Sequence, residues 1–120
     1  MTVARLFAGL LLAALFAGCQ TARPLYYWGH YEPQVYETYA KPGKSSVEQQ
    51  IQKLKEDLAK GQGAHLAAHP GLHAHLGYLY AQIGQGDLAR SEFETEKRLF
   101  PESAKFIDGL LTRAKPAATP

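Results

Sequence analysis

Four histidines lie within eleven residues of the chain, and imidazole is a common ligand of transition metals. They are His65, His69, His73 and His75. Spacings of four would align the first three on one face of a continuous helix. Pro70 and Gly71 break such a helix, and no acidic residue occurs between Asp57 and Asp87 to complete a ligand set. The pattern therefore predicts neither a metal site nor a cofactor, and His73 is expected to fill a packing position.

Three glutamates at alternate positions, Glu92, Glu94 and Glu96, are the nearest approach to a pair of catalytic carboxylates. Residues two apart on a helix point to different faces, so these side chains are expected to lie on a solvated surface. The chain contains no Gly-x-Ser-x-Gly, no Ser-x-x-Lys and no phosphate-binding glycine loop. We therefore predict no catalytic residue and no enzymatic activity.

The single cysteine, Cys19, follows an uncharged stretch that is too short to cross a membrane. Arg5 precedes thirteen uncharged residues, 6–18, which as a helix reach about 20 Å against a hydrocarbon core of about 30 Å. The run 15–19, Leu-Phe-Ala-Gly-Cys, resembles a bacterial lipobox, in which a peptidase cuts before a diacylated cysteine. The sequence predicts that residues 1–18 are a cleaved signal peptide and that Cys19 is acylated. An ordinary secretory signal with an incidental cysteine is the alternative.

The residue after the cysteine is Gln20 rather than aspartate, which resembles lipoproteins that are sorted to the outer membrane. The predicted location is therefore the periplasmic face of that membrane, held by the acyl chains of Cys19. Cleavage leaves 102 residues with 12 of the 13 basic side chains and all 11 acidic ones, since only Arg5 is lost. This near-balance offers no basic stripe to a nucleic acid, and no such partner is expected.

Residues 19–44 are predicted to form the lipidated cysteine, a linker and an aromatic arm. The arm holds Tyr26, Tyr27, Trp28, Tyr31, Tyr36 and Tyr39. Pro24, Pro33 and Pro42 interrupt it, which favours an extended or turn-rich conformation over a long helix. Three interpretations remain open: the arm packs on the rest of the chain, lies in the membrane interface, or binds a partner.

Residues 45–115 carry the signals of a helical domain, with a proline- and alanine-rich tail at 116–120. Ser45 with Glu48, and Ser46 with Gln49, fit a capping box at the start of a helix that is predicted to end near Lys60. The first apolar stripe is Val47, Ile51, Leu54 and Leu58. A last helix is predicted from Ser103 to Lys115, with an apolar face of Phe106, Ile107, Leu110 and Leu111.

The segment from Pro70 to Pro101 fits one tetratricopeptide motif without a gap. It predicts helices over 72–83 and 87–100 that pack along a seam of Leu76, Gly77, Tyr80, Ala89, Phe93 and Pro101. His73 and Glu96 depart from the motif, and a generic helical hairpin is the alternative. The expected fold is all-α: a short tetratricopeptide-like bundle of about four helices, preceded by an extended aromatic arm.

Three segments together resemble domain-of-unknown-function family 4810. They are residues 27–32 (YWGHYE), 70–77 (PGLHAHLG), and 92–97 with 100–103 (EFETEK and FPES). The resemblance implies a small lipoprotein of Gram-negative bacteria. Members of the family are typically encoded beside a lipoprotein similar to the curli secretion channel and a second small lipoprotein, which implies an outer-membrane assembly.

Two functions are expected from these observations. The first is a non-catalytic accessory lipoprotein that binds other envelope proteins, among them a channel-like lipoprotein. The residues proposed to contact the partner are Tyr27, Trp28, Tyr31, Arg90 and Glu94. The alternative is a structural envelope lipoprotein that contacts peptidoglycan or the membrane through its aromatic arm.

Overall fold

The computed structural model of the protein describes residues 22–113. The elements in chain order are β1 (Tyr26–Tyr27), α1 (Tyr31–Ala40), α2 (Val47–Gly63), β2 (Ala67–Ala68), α3 (Leu72–Gln82), α4 (Gly86–Leu99), a 3-10 turn (Pro101–Ser103) and α5 (Ala104–Arg113). This confirms the expected all-α fold. The signal peptide at 1–18, the acylation of Cys19 and the tail at 116–120 lie outside the described residues. Within those residues, no helix combines the length and the apolar character that crossing a bilayer requires.

The second half of the aromatic arm is helical, so the prediction of an extended arm is wrong there. Pro33 is the third residue of α1 and lies in its first turn, where a backbone N–H has no partner inside the helix. The proline therefore does not prevent the helix. Thr38 of α1 donates a 2.8 Å hydrogen bond to the side chain of Gln50, which ties α1 to α2.

Helix α2 begins with a capping box. The Ser46 hydroxyl accepts the N–H of Gln49 at 3.2 Å, and the Gln49 side chain accepts the N–H of Ser46 at 3.0 Å. Of the two serines that fit the motif in the sequence, Ser46 is the cap. The helix continues to Gly63, three residues beyond the predicted end at Lys60.

Helices α3 and α4 are joined by three residues and pack closely against each other. Gly77 permits this approach because a Cβ at that position would lie 2.7 Å from Cε1 of Phe93 and 3.0 Å from the carbonyl oxygen of Ala89. Leu76, Tyr80, Ala89 and Phe93 are all buried beside it. Pro101 follows α4 and opens the 3-10 turn, so the chain changes direction before α5.

One hydrophobic core joins four of the five helices. Helix α2 contributes Ile51 and Leu54, and Ile107 of α5 is completely buried on the other side of the α3–α4 pair. The remaining core residues come from α3 and α4: Leu72, Leu76, Leu79, Tyr80, Ala89 and Phe93. The first turn of α1 adds the partly buried Tyr31 to this core.

Candidate functional site

The segment before α1 is fixed to the loop before α3 by a parallel bridge. Tyr26 pairs with Ala67 and Tyr27 pairs with Ala68. Gly61 of α2 lies against this segment, and a Cβ on Gly61 would stand 3.0 Å from the Cβ of Tyr27. The bridge brings the start of the aromatic arm beside the histidine-rich loop, although the two are far apart in the sequence.

Trp28, Tyr31, His69 and His75 form a cluster of rings, called here the His69 cluster. The Trp28 indole stacks on the fully buried His69 imidazole with ring centroids 4.2 Å apart and planes 6° apart. The Tyr31 ring lies 4.2 Å from the same imidazole at an angle of 58°. Tyr31 also meets His75 edge to face at 5.8 Å. Much of the apolar area of the arm is therefore used to cover His69.

His69 is held as a neutral imidazole. Its Nδ1 lies 2.9 Å from the carbonyl oxygen of Pro70, which can only accept, so Nδ1 carries the proton and donates. Its Nε2 is buried and has no hydrogen-bond partner among residues 22–113. Burial lowers the pKa of His69 below its ordinary value of 6.5, although the hydrogen bond to the Pro70 carbonyl and the nearby carboxylates of Glu96 and Asp57 act in the opposite direction. Burial also lowers the pKa of His75.

Asp57 of α2 lies at the start of α1 with 1% of its side chain exposed. Its Oδ2 accepts the backbone N–H of His30 at 2.6 Å, and its Oδ1 lies 3.0 Å from the Nδ1 of the same residue. His30 is the residue before the first turn of α1, so the carboxylate stands where the helix dipole is positive. Gly29 has a φ of +48°, and a Cβ there would collide with the Asp57 carboxyl group.

Glu96 of α4 occupies the corresponding place at the start of α3 and is 2% exposed. Its Oε1 accepts the N–H of Gly71 at 2.7 Å, and its Oε2 accepts the N–H of Ala74 at 3.3 Å. The expectation of a solvated Glu96 is therefore wrong, because the first-turn N–H groups of a buried helix need an acceptor. Burial, together with the negative charge of Glu96, raises the pKa of Tyr31.

The other two glutamates differ from each other as well. Glu94 is exposed, as expected, whereas Glu92 is partly buried with its Oε2 2.6 Å from Nδ1 of His73. His73 is mostly buried between α3 and α4, and so has both a packing contact and a polar partner. This pair was not predicted from the sequence.

A groove of about 310 Å³ lies on the surface made by the alternate helices α1, α3 and α5. Three of its aromatic side chains are exposed: Tyr39 of α1 at 74%, Tyr78 of α3 at 42% and Phe106 of α5 at 64%. The other lining residues are Tyr31, Gly71, Ala74, His75 and Leu110. No lining residue carries a full charge at neutral pH, because burial keeps His75 neutral. We call this surface the aromatic groove.

A second cavity, of about 410 Å³, lies under the β1–β2 bridge between α2 and α4. Its walls are mainly apolar and include Tyr27, Leu58 and Phe100, and its polar side chains include Asp57, Gln62 and His73. Asp57 and His73 already have partners, since Asp57 binds His30 and His73 binds Glu92. Contact with a ligand in this cavity would therefore be mainly apolar.

The structure separates the residues that were predicted to contact a partner. Tyr31 lines the aromatic groove. The Trp28 ring lies next to Tyr31, with the two ring centroids 6.3 Å apart. Tyr27 lies instead beside the second cavity. Arg90 and Glu94 are exposed on α4 and do not line the groove. The partner contacts of these five residues stay predictions.

The sequence contains a signal for the two buried carboxylates. Ala89, Phe93 and Glu96 follow the four-and-three spacing of one helix face, so Glu96 lies on the buried stripe of α4. Asp57 is three residues after Leu54 and lies at the edge of the α2 stripe. A charged residue on an apolar stripe indicates a buried partner, which in both cases is a helix N-terminus.

Metal chemistry has no geometric support in the part of the chain that the structure describes. Residues 22–113 contain no group of three or more His, Cys, Asp and Glu side chains that could hold a metal ion. His65 is exposed, His69 is covered by Trp28, and His73 faces Glu92. The four histidines therefore do not converge on one point.

These features define a small all-α domain whose aromatic arm covers a buried imidazole and borders an uncharged aromatic groove. Residues 25–110 match the family model described as Domain of unknown function (DUF4810). The chain therefore belongs to that family, as the sequence resemblance predicted. No curated protein and no solved structure matches the chain. The matched residues include the whole His69 cluster, both buried carboxylates and every residue that lines the groove.

Proposed function

We propose that this protein is a non-catalytic outer-membrane lipoprotein that acts as an accessory protein-binding module in an envelope assembly. In this proposal Cys19 is acylated after cleavage of residues 1–18, and the helical domain faces the periplasm. The proposed partner is a lipoprotein similar to the curli secretion channel, as the family resemblance implies. The observation that supports a binding role is the aromatic groove.

The aromatic groove has the composition of an interface rather than of an ordinary surface. Tyr39, Tyr78 and Phe106 expose large apolar areas within one concavity, and aromatic side chains dominate the energy of protein interfaces. Burying the exposed part of the Phe106 ring alone against a partner would contribute about 1–2 kcal/mol. The groove is concave, so a protruding segment of a protein fits it better than a flat bilayer does.

The arrangement of helices also supports a tetratricopeptide-like organisation. The groove takes its residues from α1, α3 and α5, which alternate in the chain with α2 and α4. Repeat proteins of stacked helix pairs bind peptides on surfaces of this kind. We propose that α3 and α4 are the one complete repeat and that α2 and α5 cover its two sides.

Site-specific crosslinking in cells tests this function. A photoreactive amino acid replaces Tyr78 in the groove, and a matched variant carries it at Lys53, which is exposed on α2 outside the groove. The expected result is capture of a channel-like envelope lipoprotein from outer-membrane fractions at position 78 and not at position 53. The capture is expected to disappear in a Cys19→Ala variant.

Two results would contradict the proposal. Equal capture at positions 78 and 53 would mean that the groove has no special role. Absence of any captured protein, with the chain co-sedimenting with murein, would favour the alternative function. In that case the protein is a structural envelope lipoprotein that contacts peptidoglycan or the membrane through its aromatic arm.

A specific observation favours this alternative enough to test it. Tyr36 and Tyr39 of α1 are exposed at 62% and 74%, and α1 belongs to the arm that begins close to Cys19. Deleting the arm is unsuitable, because Trp28 and Tyr31 cover His69 and the deletion would disturb the fold. The alternative predicts that Tyr36→Ser with Tyr39→Ser abolishes binding to murein or vesicles, while the helical content stays unchanged.

A further inference from the structure

Among residues 22–113, the aromatic groove exposes three rings in one place. Tyr39, Tyr78 and Phe106 keep between 42% and 74% of their surface exposed, although each lines the same concavity. A contiguous group of aromatic rings differs from the scattered apolar residues that a small domain normally exposes, and it marks an interaction site. The area, charge and polar groups of the groove indicate which kind of segment fits it.

We infer that the aromatic groove binds an extended, uncharged segment of the partner protein that contains proline in the polyproline II conformation. The inference deepens the proposed function, on which it rests, by giving the chemical class of the bound segment. Three properties of the groove support it: its small exposed area, the lack of charge on its lining residues, and the hydroxyl groups of its tyrosines.

The exposed aromatic area is too small to serve as the interface of two folded proteins. An aromatic side chain offers about 200 Å², and the three rings are on average about 60% exposed, so together they supply about 360 Å². A stable interface buries about 800 Å² on each partner, so a second copy of this chain would need more than half of its contact outside the groove. A short extended segment needs only the groove.

The charge of the groove matches an uncharged segment. The only lining residue that titrates near pH 7 is His75, and burial lowers its pKa, so the imidazole is neutral at that pH. A carboxylate that entered the groove would lose its contact with water and gain no opposite charge among the lining residues. A lysine would meet only the faces of the rings, which attract a cation weakly at an exposed site.

Proline suits the polar groups of the groove. The lining residues Tyr31, Tyr39 and Tyr78 carry phenol hydroxyls, and such a group donates a hydrogen bond to a peptide carbonyl. Proline brings a carbonyl oxygen and no N–H, so binding leaves no backbone donor unpaired at that residue. Its ring packs on aromatic faces, and the polyproline II conformation is ordered before binding, which lowers the entropic cost of association.

Titration of the purified full-length chain with synthetic peptides tests the inference. The probes are two octapeptides with capped ends: one of eight prolines, and one of four Gly-Ser repeats, which is uncharged and flexible. Two-dimensional NMR gives the dissociation constant of each peptide. We expect about 0.1 mM for octaproline, because a small interface leaves little surplus over the cost of association, and binding of the Gly-Ser peptide that is weaker by about tenfold or more.

Single substitutions of exposed rings locate the binding. Tyr39→Ser and Phe106→Ser remove groove rings that are 74% and 64% exposed, so the fold should tolerate both changes. Each is expected to weaken octaproline binding about fivefold. Tyr36→Ser removes a ring that is 62% exposed and does not line the groove, so this matched control should leave the dissociation constant unchanged. Circular dichroism checks that the three variants keep their helical content.

Equal affinity for the two peptides, or no binding of octaproline at millimolar concentration, would overturn the inference. Tighter binding of an octapeptide of four Pro-Lys repeats at high ionic strength would also overturn it, since the rings would then bind a cation. A dimer in sedimentation that Phe106→Ser dissociates would show that a second copy fills the groove instead. In each case, capture of the envelope lipoprotein by crosslinking at position 78 would leave the proposed function intact. Octaproline binding without such capture would support the inferred chemistry of the groove and contradict the proposed partner.

Discussion

Two helices in this protein begin against a buried carboxylate, and the two arrangements differ in what surrounds the charge. Glu96 at the start of α3 accepts two backbone N–H groups, those of Gly71 and Ala74, inside the packed α3–α4 pair. Asp57 at the start of α1 accepts one backbone N–H and faces the imidazole of His30, which is 57% exposed. Both carboxylates are nearly fully buried, but Glu96 has two backbone partners, whereas Asp57 has one backbone partner and one exposed side-chain partner.

This difference gives Glu96 a structural role and Asp57 a positioning role. Loss of the Glu96 carboxylate leaves two backbone N–H groups at the start of α3 without an acceptor. Loss of the Asp57 carboxylate leaves one backbone N–H without an acceptor, and the exposed imidazole of His30 can bond to solvent instead. Asp57 instead fixes the place of Gly29 and His30, and through them the place where the aromatic arm turns into α1.

The largest expected effect on stability is that of removing the carboxylate of Glu96. Glu96→Ala leaves two buried N–H groups without an acceptor and should lower the free energy of unfolding by about 3 kcal/mol. Glu96→Gln keeps one acceptor oxygen and should lose about half as much. Urea denaturation followed by circular dichroism measures both variants, with Glu94→Ala as the exposed control that should change stability by less than about 0.5 kcal/mol. Equal losses of unfolding free energy for Glu94→Ala and Glu96→Ala would contradict a structural role for Glu96.

A smaller effect is expected at the other helix start. Asp57→Ala should cost about 2 kcal/mol, since only one backbone N–H loses its acceptor. His30→Ala should cost about 0.5 kcal/mol, because water can replace the contact of a half-exposed imidazole and the backbone hydrogen bond to Asp57 remains. The same denaturation experiment compares them, with the exposed Glu56→Ala as control. Equal losses of unfolding free energy for Asp57→Ala and Glu96→Ala would contradict the proposed difference between the two carboxylates.

A change of pH is expected to have a smaller effect on stability than the removal of either carboxylate. Burial lowers the pKa of His69, so the unfolded chain binds more protons than the folded chain just below pH 6.5. The free energy of unfolding should therefore fall as the pH is lowered from 7.5 to 5.5, by at most about 1.4 kcal/mol per pH unit for one imidazole. His69→Phe keeps an aromatic ring under Trp28 and should reduce this slope, and His75, whose pKa burial also lowers, should supply the remainder. A stability that rises on acidification would mean that the Pro70 hydrogen bond and the charges of Glu96 and Asp57 outweigh burial.

The helix pair was predictable because its signals are local. Gly77, Ala89 and Phe93 each occupy a position that a 3.6-residue repeat assigns to one face, and Pro101 stops a helix wherever it stands. The capping box of Ser46 and Gln49 likewise depends only on residues three apart. Such features are set by backbone geometry within one turn of helix, so the sequence is enough to locate them.

The arm was predicted less well because its conformation depends on distant residues. Pro33 argues against a helix only when its position within that helix is unknown, and the start of α1 is fixed by Asp57, a residue of α2. His69, on which Trp28 stacks, is likewise in the loop before α3. No pattern inside residues 25–40 could reveal these contacts.

By itself, the sequence determined the all-α class and the positions of the principal helices, because hydrophobic periodicity and capping act between neighbours in the chain. Only the tertiary structure decided that Glu96 and Asp57 are buried, that His69 lies under Trp28, and that Tyr39, Tyr78 and Phe106 share one groove. The physical reason is that the burial of a polar group depends on what another element brings to it. A helix N-terminus, a stacked ring and a shared concavity exist only once the elements have packed.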